Sequence, residues 1–311
     1  MSRYGIPILC GILGAGLFLT VLTGSPGSVI LVALTQLPLF VAGLWLGAGA
    51  AVVAGLSATI VLLAKAGAMA AVIFALVEAV PVAILVRQAL LARQTADGRL
   101  EWYPPGGLTA WLTGMALAGT ALGVLAMGGP QTIEATLRAA LSAELRAIPG
   151  AGSAEATAAA GTLARLFPGL TAASWIMLTA MCGTLAQGLL TRFGANWRPT
   201  PDLGSLALPL WIPLAFAAAA AAAWLGGTAG FAAVNALVLL SVPLVIGGMA
   251  VLHVGARRLP RPTGPLIVFY VVAGLLGWPF LFVALLGLLD TPLGLRRRLA
   301  PRNVLGGRID G

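Results

Sequence analysis

Charged residues are scarce in this sequence. They make up only 9% of the 311 residues, against 59% hydrophobic residues, whereas an ordinary soluble domain carries about 25% charged residues. Residues 206–225 and 231–254 contain no Lys, Arg, Asp or Glu, and about 20 apolar residues cross a hydrocarbon core about 30 Å thick. This shortage of charge excludes a water-soluble globular fold and predicts that the lipid bilayer surrounds most of the chain.

Cysteine and histidine are nearly absent, and with them most catalytic motifs. The two cysteines, Cys10 and Cys182, lie inside apolar segments without C-x-x-C spacing, and His253 is the single histidine. The sequence has no Ser-His-Asp set, no H-E-x-x-H motif, no P-loop and no dinucleotide-binding glycine motif. We therefore predict no enzyme activity, no cofactor and no metal site, and we interpret His253 as an interfacial anchor rather than a catalytic base.

The basic excess gives a formal net charge of +9, which in a soluble protein would suggest nucleic acid as a partner. Here the basic residues lie at the ends of apolar segments or in short loops, the pattern that orients membrane helices. An amino terminus placed inside puts 14 of the 18 Lys and Arg residues on the cytoplasmic side. We predict a multi-pass protein with both termini in the cytoplasm, and no nucleic-acid partner.

Turns rich in Gly and Pro, or charged loops, divide the chain into eight apolar spans and a longer final apolar stretch. These segments begin near Gly5, Ser28, Gly49, Ala66, Leu108, Leu170, Leu206, Gly230 and Pro265. The pattern predicts an all-α polytopic transmembrane helical bundle, with residues 1–299 as a single transmembrane domain and residues 300–311 as a cytoplasmic tail. Gln36 and Pro38 lie inside the second span and the third span is short, which indicates that some of the early helices are broken, tilted or partly re-entrant.

The final apolar stretch, residues 265–295, is too long for one span, because a straight helix of that length rises about 46 Å. Trp278 and Pro279 supply a break, so we predict a hairpin of two short helices that returns the carboxyl terminus to the cytoplasm. Asp290 then lies near a basic cluster formed by Arg296, Arg297 and Arg298. We favour a structural role for Asp290, as a cap or an ion-pair partner, over docking of a cytoplasmic protein.

The segment 129–169, placed outside, contains the amphipathic stretches. Apolar residues recur every four positions at Ile133, Leu137, Leu141 and Leu145, and a second short helix is marked by Leu163 and Leu166 after a Pro149-Gly150-Ala151-Gly152 break. We predict two helices lying flat on the outer surface. They can form a lid over a cavity or an interfacial packing element, and we favour packing.

Glu78, Gln36, Gln187 and Asn235 are polar residues at membrane depth, where such groups usually face the protein interior or water. Glu78 is flanked by apolar residues, and Pro81 deprives the carbonyl of Val77 of its helical bond. The glutamate can bind a cation, a proton or a substrate ammonium, or it can be protonated and bonded to a neighbouring helix. Gln36 and Asn235 can line the same site or hold helices together, and we take helix association as the default.

Two motifs carry a family resemblance. Residues 37–47 (LPLFVAGLWLG) and 285–298 (LLGLLDTPLGLRRR) resemble the YybS-like family of predicted bacterial membrane proteins. That likeness implies the bacterial inner membrane and, more distantly, a similarity to the substrate-capturing subunits of energy-coupling-factor vitamin transporters.

The resemblance implies a solute-binding or transport subunit, in which Glu78, Gln36 and Asn235 are candidate substrate-binding residues. Because the chain has no ATP-binding motif, energy would come from a separate ATPase or coupling module, or from an ion gradient. The alternative is a membrane assembly or scaffolding protein, whose polar residues serve only packing. An intramembrane enzyme is a third hypothesis, but its only support is one glutamate without a clear catalytic partner.

Overall fold

The structure is a computed structural model that describes residues 4–147 and 153–299. The predicted all-α polytopic class is confirmed, since the described residues are mostly helical. The fourteen α-helices of the described part, α1 to α14, are Gly5–Leu19, Ser28–Ala33, Gln36–Leu46, Ala48–Ala66, Ala68–Phe74, Val80–Ala89, Pro105–Ala126, Pro130–Arg146, Ser153–Arg192, Trp211–Ala222, Gly227–Ala256, Thr263–Leu276, Pro279–Leu293 and Leu295–Leu299. Two short strands, β1 (Ala92–Gln94) and β2 (Leu100–Trp102), form an antiparallel hairpin between α6 and α7.

Within the described residues, seven helical segments are long and apolar enough to cross a membrane. The number rises to eight if one bent pair of helices is counted as a single span. The bent pair is α12 and α13, between which the helix axis bends by 117°. The break falls at Trp278 and Pro279 as predicted, although the side on which the carboxyl terminus emerges stays a prediction. The segment predicted to begin near Leu206 is instead a shorter apolar helix, Trp211–Leu225.

The chain folds into two compact units. In the part of the chain that the structure describes, the first unit comprises residues 4–115 and 174–201, and the second comprises residues 116–147, 153–173 and 202–299. Helices α7 and α9 contribute to both units. The single transmembrane domain of residues 1–299 stays a prediction, and the tail of residues 300–311 lies outside the described residues.

Small residues bring the helices of the first unit close together. A Cβ added at Gly55 of α4 would lie 2.8 Å from the Cβ of Ala79, and one added at Gly43 of α3 would lie 2.8 Å from the Cβ of Ala51. Such contacts are closer than side chains tolerate, so α4 approaches its neighbours only because these positions carry glycine. Close approach of small residues is a common basis of helix association in lipid.

In the second unit, α11 packs on α13 and α10. Helices α11 and α13 cross at two glycines, Gly248 and Gly287, each of which faces a backbone carbonyl of the other helix. This crossing joins α11, the longest helix that lies entirely within the second unit, to α13, the second helix of the bent pair.

The first predicted amphipathic helix is α8, with Ile133 on its buried face. The second is not separate, because residues 163 and 166 belong to α9, which continues through Pro168 to Arg192. The predicted break at residues 149–152 lies outside the described residues. A proline inside a membrane helix is tolerated where a neighbouring helix satisfies the freed backbone groups, and Asn235 supplies that contact, as described below.

Candidate functional site

The helix that carries Glu78 is interrupted by a π-helical turn. The turn, Ala75–Ala79, connects α5 to α6. Pro81 has no N–H to offer the carbonyl of Val77, and that oxygen accepts a hydrogen bond of 3.1 Å from the indole Nε1 of Trp175. The freed carbonyl was predicted, but its partner, about 100 residues away in the chain, was not. Single π-turns inside helices occur frequently at functional sites.

Glu78 lies inside this turn, halfway along the candidate span Ala68–Ala89, and it is partly buried. The side-chain amide of Gln36 lies close enough to interact with the Glu78 carboxylate. The structure thus brings together two of the three predicted site residues.

A second interruption lies next to Gln36. Helix α2 ends at Ala33 and α3 begins at Gln36, so the candidate span Ser28–Leu46 is broken near its middle. Pro38 cannot donate to the carbonyl of Leu34, which instead accepts a tighter bond of 3.0 Å from the Leu37 N–H. The broken second span predicted from the sequence is present.

One face of α9 closes the site within the first unit. Trp175, Thr179 and Cys182 are spaced by about one helical turn each, and so share this face. The Cys182 thiol is buried, donates to the carbonyl of Ala33 at 3.2 Å, and lies close enough to Glu78 to interact with its charge. Neither Trp175 nor Thr179 was predicted as a site residue, because an apolar span shows no periodicity that separates its protein-facing side from its lipid-facing side.

We call Thr35, Gln36, Glu78, Thr179 and Cys182 the polar cluster. Three of its oxygens, Thr35 Oγ1, Gln36 Oε1 and Thr179 Oγ1, are buried without a hydrogen-bond partner. The three residues are only 1%, 4% and 1% exposed. Each unmet buried group costs about 1–3 kcal/mol, and such groups call for an explanation in a native structure. These unpartnered groups make the polar cluster a candidate for binding a small polar ligand.

Asn235, the third predicted site residue, belongs to the second unit and its amide is fully used. Its Oδ1 accepts from the Gly169 N–H at 2.6 Å, and its Nδ2 donates to the carbonyls of Arg165 at 3.0 Å and Phe231 at 2.8 Å. The N–H of residue 169 and the carbonyl of residue 165 are groups that normally pair with each other in an α-helix. Asn235 therefore stabilises α9 at the turn that contains Pro168.

We expect Asn235→Leu to lower the free energy of unfolding by about 1–3 kcal/mol, because it leaves backbone groups of α9 unmet in an apolar environment. The measurement is the thermal melting of the full chain in nanodiscs. Gln131→Leu is the control, since the Gln131 side chain donates to Thr228 at an exposed position. Equal melting temperatures for the two variants would contradict the assignment.

Arg198 lies in the loop after α9 and is 6% exposed. Its Nη1 donates to the carbonyl of Ala89 at 3.1 Å, at the end of α6. Burial lowers the pKa of this guanidinium, although an arginine remains charged at neutral pH. The charge suits the negative end of a helix dipole, so we assign Arg198 to holding the ends of α6 and α9.

At the end of α13, Asp290 is 4% exposed and forms an ion pair with Arg296. Its Oδ2 accepts from Arg296 Nε at 2.6 Å, and its Oδ1 accepts from the Arg296 backbone N–H at 2.9 Å. Arg296 also donates to the carbonyl of Leu206. This geometry suits the structural role predicted for Asp290, whereas Arg297 and Arg298 are exposed and their docking role stays a prediction.

A cavity of about 190 Å³ lies beneath α8 in the second unit. It is lined by Pro130, Gln131, Glu134, Arg165, Gly226, Gly227, Thr228 and Phe231. Helix α8 is held there by buried Ile133 and by the Gln131–Thr228 hydrogen bond of 3.1 Å. Both alternatives for α8, lid and packing element, remain compatible with this geometry.

His253 bonds through Nδ1 to the carbonyl of Met249 at 2.8 Å, and its Nε2 lies 3.3 Å from the hydroxyl of Tyr270. Within the described residues, no group of three or more His, Cys, Asp and Glu side chains could hold a metal ion. Among the described residues, the buried side-chain atoms without a hydrogen-bond partner all belong to the polar cluster. The polar cluster is therefore the candidate binding site.

Comparison with known proteins gives one match. A family model described as a predicted membrane protein of family DUF2232 matches residues 12–291. No curated protein and no solved structure matches the chain.

Proposed function

We propose a small-solute binding or transport function for this chain, which belongs to the predicted membrane protein family DUF2232. The solute binds at the polar cluster of the first unit. Glu78 and Gln36 are its principal contacts, with Thr35 and Thr179 as additional ones. Asn235 is left out of the site, because its amide already carries three hydrogen bonds.

One observation carries the proposal: two unpartnered buried oxygens, on Thr35 and Gln36, lie at the break between α2 and α3. A third, on Thr179, lies on the face of α9 that contacts the π-turn. Many secondary transporters bind substrates near the bilayer midplane, between discontinuous helices whose unwound backbone lines the site. The π-turn at Glu78 and the break before Gln36 provide the same kind of irregularity. A purely structural role would favour satisfied side chains, as at Asn235.

The resemblance to energy-coupling-factor subunits supports a membrane subunit that works with a separate ATPase, and an ion gradient is the other energy source. The positive bias of the loops supports the bacterial inner membrane with both termini in the cytoplasm. Exposed Arg297 and Arg298 near the end of the described chain offer a surface for a coupling module.

Glu78→Gln tests the proposal. We expect a small molecule to co-purify with the full chain in nanodiscs and to fall at least about tenfold in the variant, equivalent to about 1.4 kcal/mol of binding free energy. Expression and melting should stay near normal, because Gln has the same shape as Glu. Small-molecule mass spectrometry of the purified samples provides the measurement.

Glu144→Gln serves as the matched control, since Glu144 is an exposed carboxylate on α8. Its co-purified molecules should equal those of the unmodified chain. If all three proteins carry the same molecules at the same level, the polar cluster is not a solute site, and the assembly or scaffolding function becomes the better explanation.

A further inference from the structure

We infer that the group bound by the polar cluster is a single positive charge, either a primary ammonium or an alkali-metal ion. The inference rests on the proposed function and names the chemical class of its solute. It follows from the balance of hydrogen-bond donors and acceptors, from the charge of the cluster and from the identity of its ligands.

Acceptors predominate in the cluster, and the donors of Cys182 and Trp175 beside it are already used. An ionised Glu78 carboxylate and Gln36 Oε1 can only accept, while each threonine hydroxyl provides two acceptor lone pairs and one donor. The Cys182 thiol donates to the Ala33 carbonyl, and the Trp175 indole donates to the Val77 carbonyl. Apart from the two threonine hydroxyl hydrogens and the Gln36 amide, the cluster therefore supplies only acceptors, and an occupant with donors or positive charge of its own complements it best.

Within residues 4–147 and 153–299, Glu78 also has no positively charged partner. Among the described residues, the ion pairs join other groups, and none includes Glu78. A charge at the centre of a membrane helix costs about 2.5–3.5 kcal/mol on insertion scales. A cationic occupant offsets that cost directly, whereas a neutral or anionic solute leaves it in place or adds to it.

The ligand set favours a monovalent hard cation. Ca²⁺ and Mg²⁺ sites are usually built from several carboxylate and carbonyl oxygens, and the cluster contains one carboxylate. Soft transition metals prefer thiolate ligands, but the Cys182 sulfur is engaged as a donor to a carbonyl. A primary ammonium, with three N–H donors, and an alkali ion both match one carboxylate with neutral oxygens around it.

The experiment measures thermal melting of the full chain in phosphatidylcholine nanodiscs, titrated with methylammonium, sodium or potassium chloride. N-methyl-D-glucamine chloride controls for ionic strength and chloride. We expect a saturable rise in melting temperature with at least one of the three small cations, as for any ligand that binds only the folded state. The half-saturating concentration should rise at least about tenfold in Glu78→Gln and stay unchanged in Glu144→Gln.

Thr179→Val gives a second test that does not depend on the charge of Glu78. Valine keeps the shape of threonine and removes a buried hydroxyl that has no partner. Without added cation, this variant should melt at the same temperature as the unmodified chain or higher, because an unmet polar group is gone. Its cation-induced rise should nevertheless be smaller, a combination that loss of packing cannot produce.

The outcomes separate the two proposals. If a neutral or anionic molecule co-purifies in a Glu78-dependent manner and none of the cations has an effect, the inference about charge is wrong and the proposed solute site stands. If neither co-purification nor a cation effect depends on Glu78, both fail. A cation effect that is equal in Glu78→Gln, Thr179→Val and the unmodified chain places the cation elsewhere and also overturns the inference.

Discussion

Replacing Gly287 by leucine is expected to prevent stable folding of the second unit. A Cβ at this position would collide with the backbone carbonyl of Leu244, and one at Gly248 would collide with that of Val283. Backbone atoms cannot rotate aside as a flexible side chain can, so α11 and α13 would have to separate along their contact. We expect a loss of about 3 kcal/mol or more, at the upper end of the cost of overpacking.

Size-exclusion elution of the detergent-solubilised chain, together with its thermal melting, measures this loss. Gly274→Leu is the matched control, because Gly274 lies in α12 with no atom within 4 Å of an added Cβ. The control should elute and melt like the unmodified chain. Equal behaviour of the Gly287 and Gly274 variants would show that the close crossing of α11 and α13 is not required.

The sequence predicts the interruptions of the helices because each has a local chemical cause. Proline lacks an N–H wherever it stands, so the break near Pro38, the freed carbonyl before Pro81 and the bend at Pro279 follow from the residues themselves. The π-turn Ala75–Ala79 was not predicted. Glu78 and Gln36 could be selected on similar grounds, since polar groups at membrane depth are costly. These features need no knowledge of which helices are neighbours.

The partners across helices could not be predicted in this way. A helix surrounded by lipid and protein is apolar on all sides, so α9 gives no periodic signal that its face with Trp175, Thr179 and Cys182 meets the π-turn. For the same reason, the sequence did not predict that Asn235 stabilises α9. Asn235 was chosen as a candidate site residue only because it is polar, whereas its role in the fold depends on Pro168 in a different helix.

Apolar length alone also overestimates the span near Leu206. Pro209 and the turn before Trp211 delay the start of the helix, and Gly226 and Gly227, both with positive φ, follow its end at Leu225. The opposite error concerns the second amphipathic segment: the short helix predicted at residues 163 and 166 and the span predicted to begin near Leu170 are one continuous helix, α9. Proline and glycine limit the helix near Leu206, whereas Pro168 does not interrupt α9 because Asn235 satisfies the freed backbone groups.

Breaking the ion pair between Asp290 and Arg296 is the second change with a large expected effect. Their side chains are 4% and 13% exposed, and the closest N–O distance is 2.6 Å. Removing one partner of a buried pair leaves an uncompensated charge, which typically costs about 3–5 kcal/mol. We expect Asp290→Asn to lower the free energy of unfolding by this amount, because the guanidinium of Arg296 would remain buried beside a neutral amide.

The double variant Asp290→Asn with Arg296→Gln should recover most of the loss, since replacing both partners by neutral groups leaves no buried charge. Glu134→Gln is the control, because Glu134 pairs with Arg138 at a more exposed position and such pairs contribute about 0–1 kcal/mol. Arg296→Gln is the second single variant of the cycle, and thermal and denaturant melting of all five proteins in the same detergent gives the interaction energy of the pair. Losses of the two single variants that simply add up in the double variant would show that the two residues act separately. In that case the hydrogen bonds of each residue to the backbone, rather than their mutual charge, would hold α14 against the second unit.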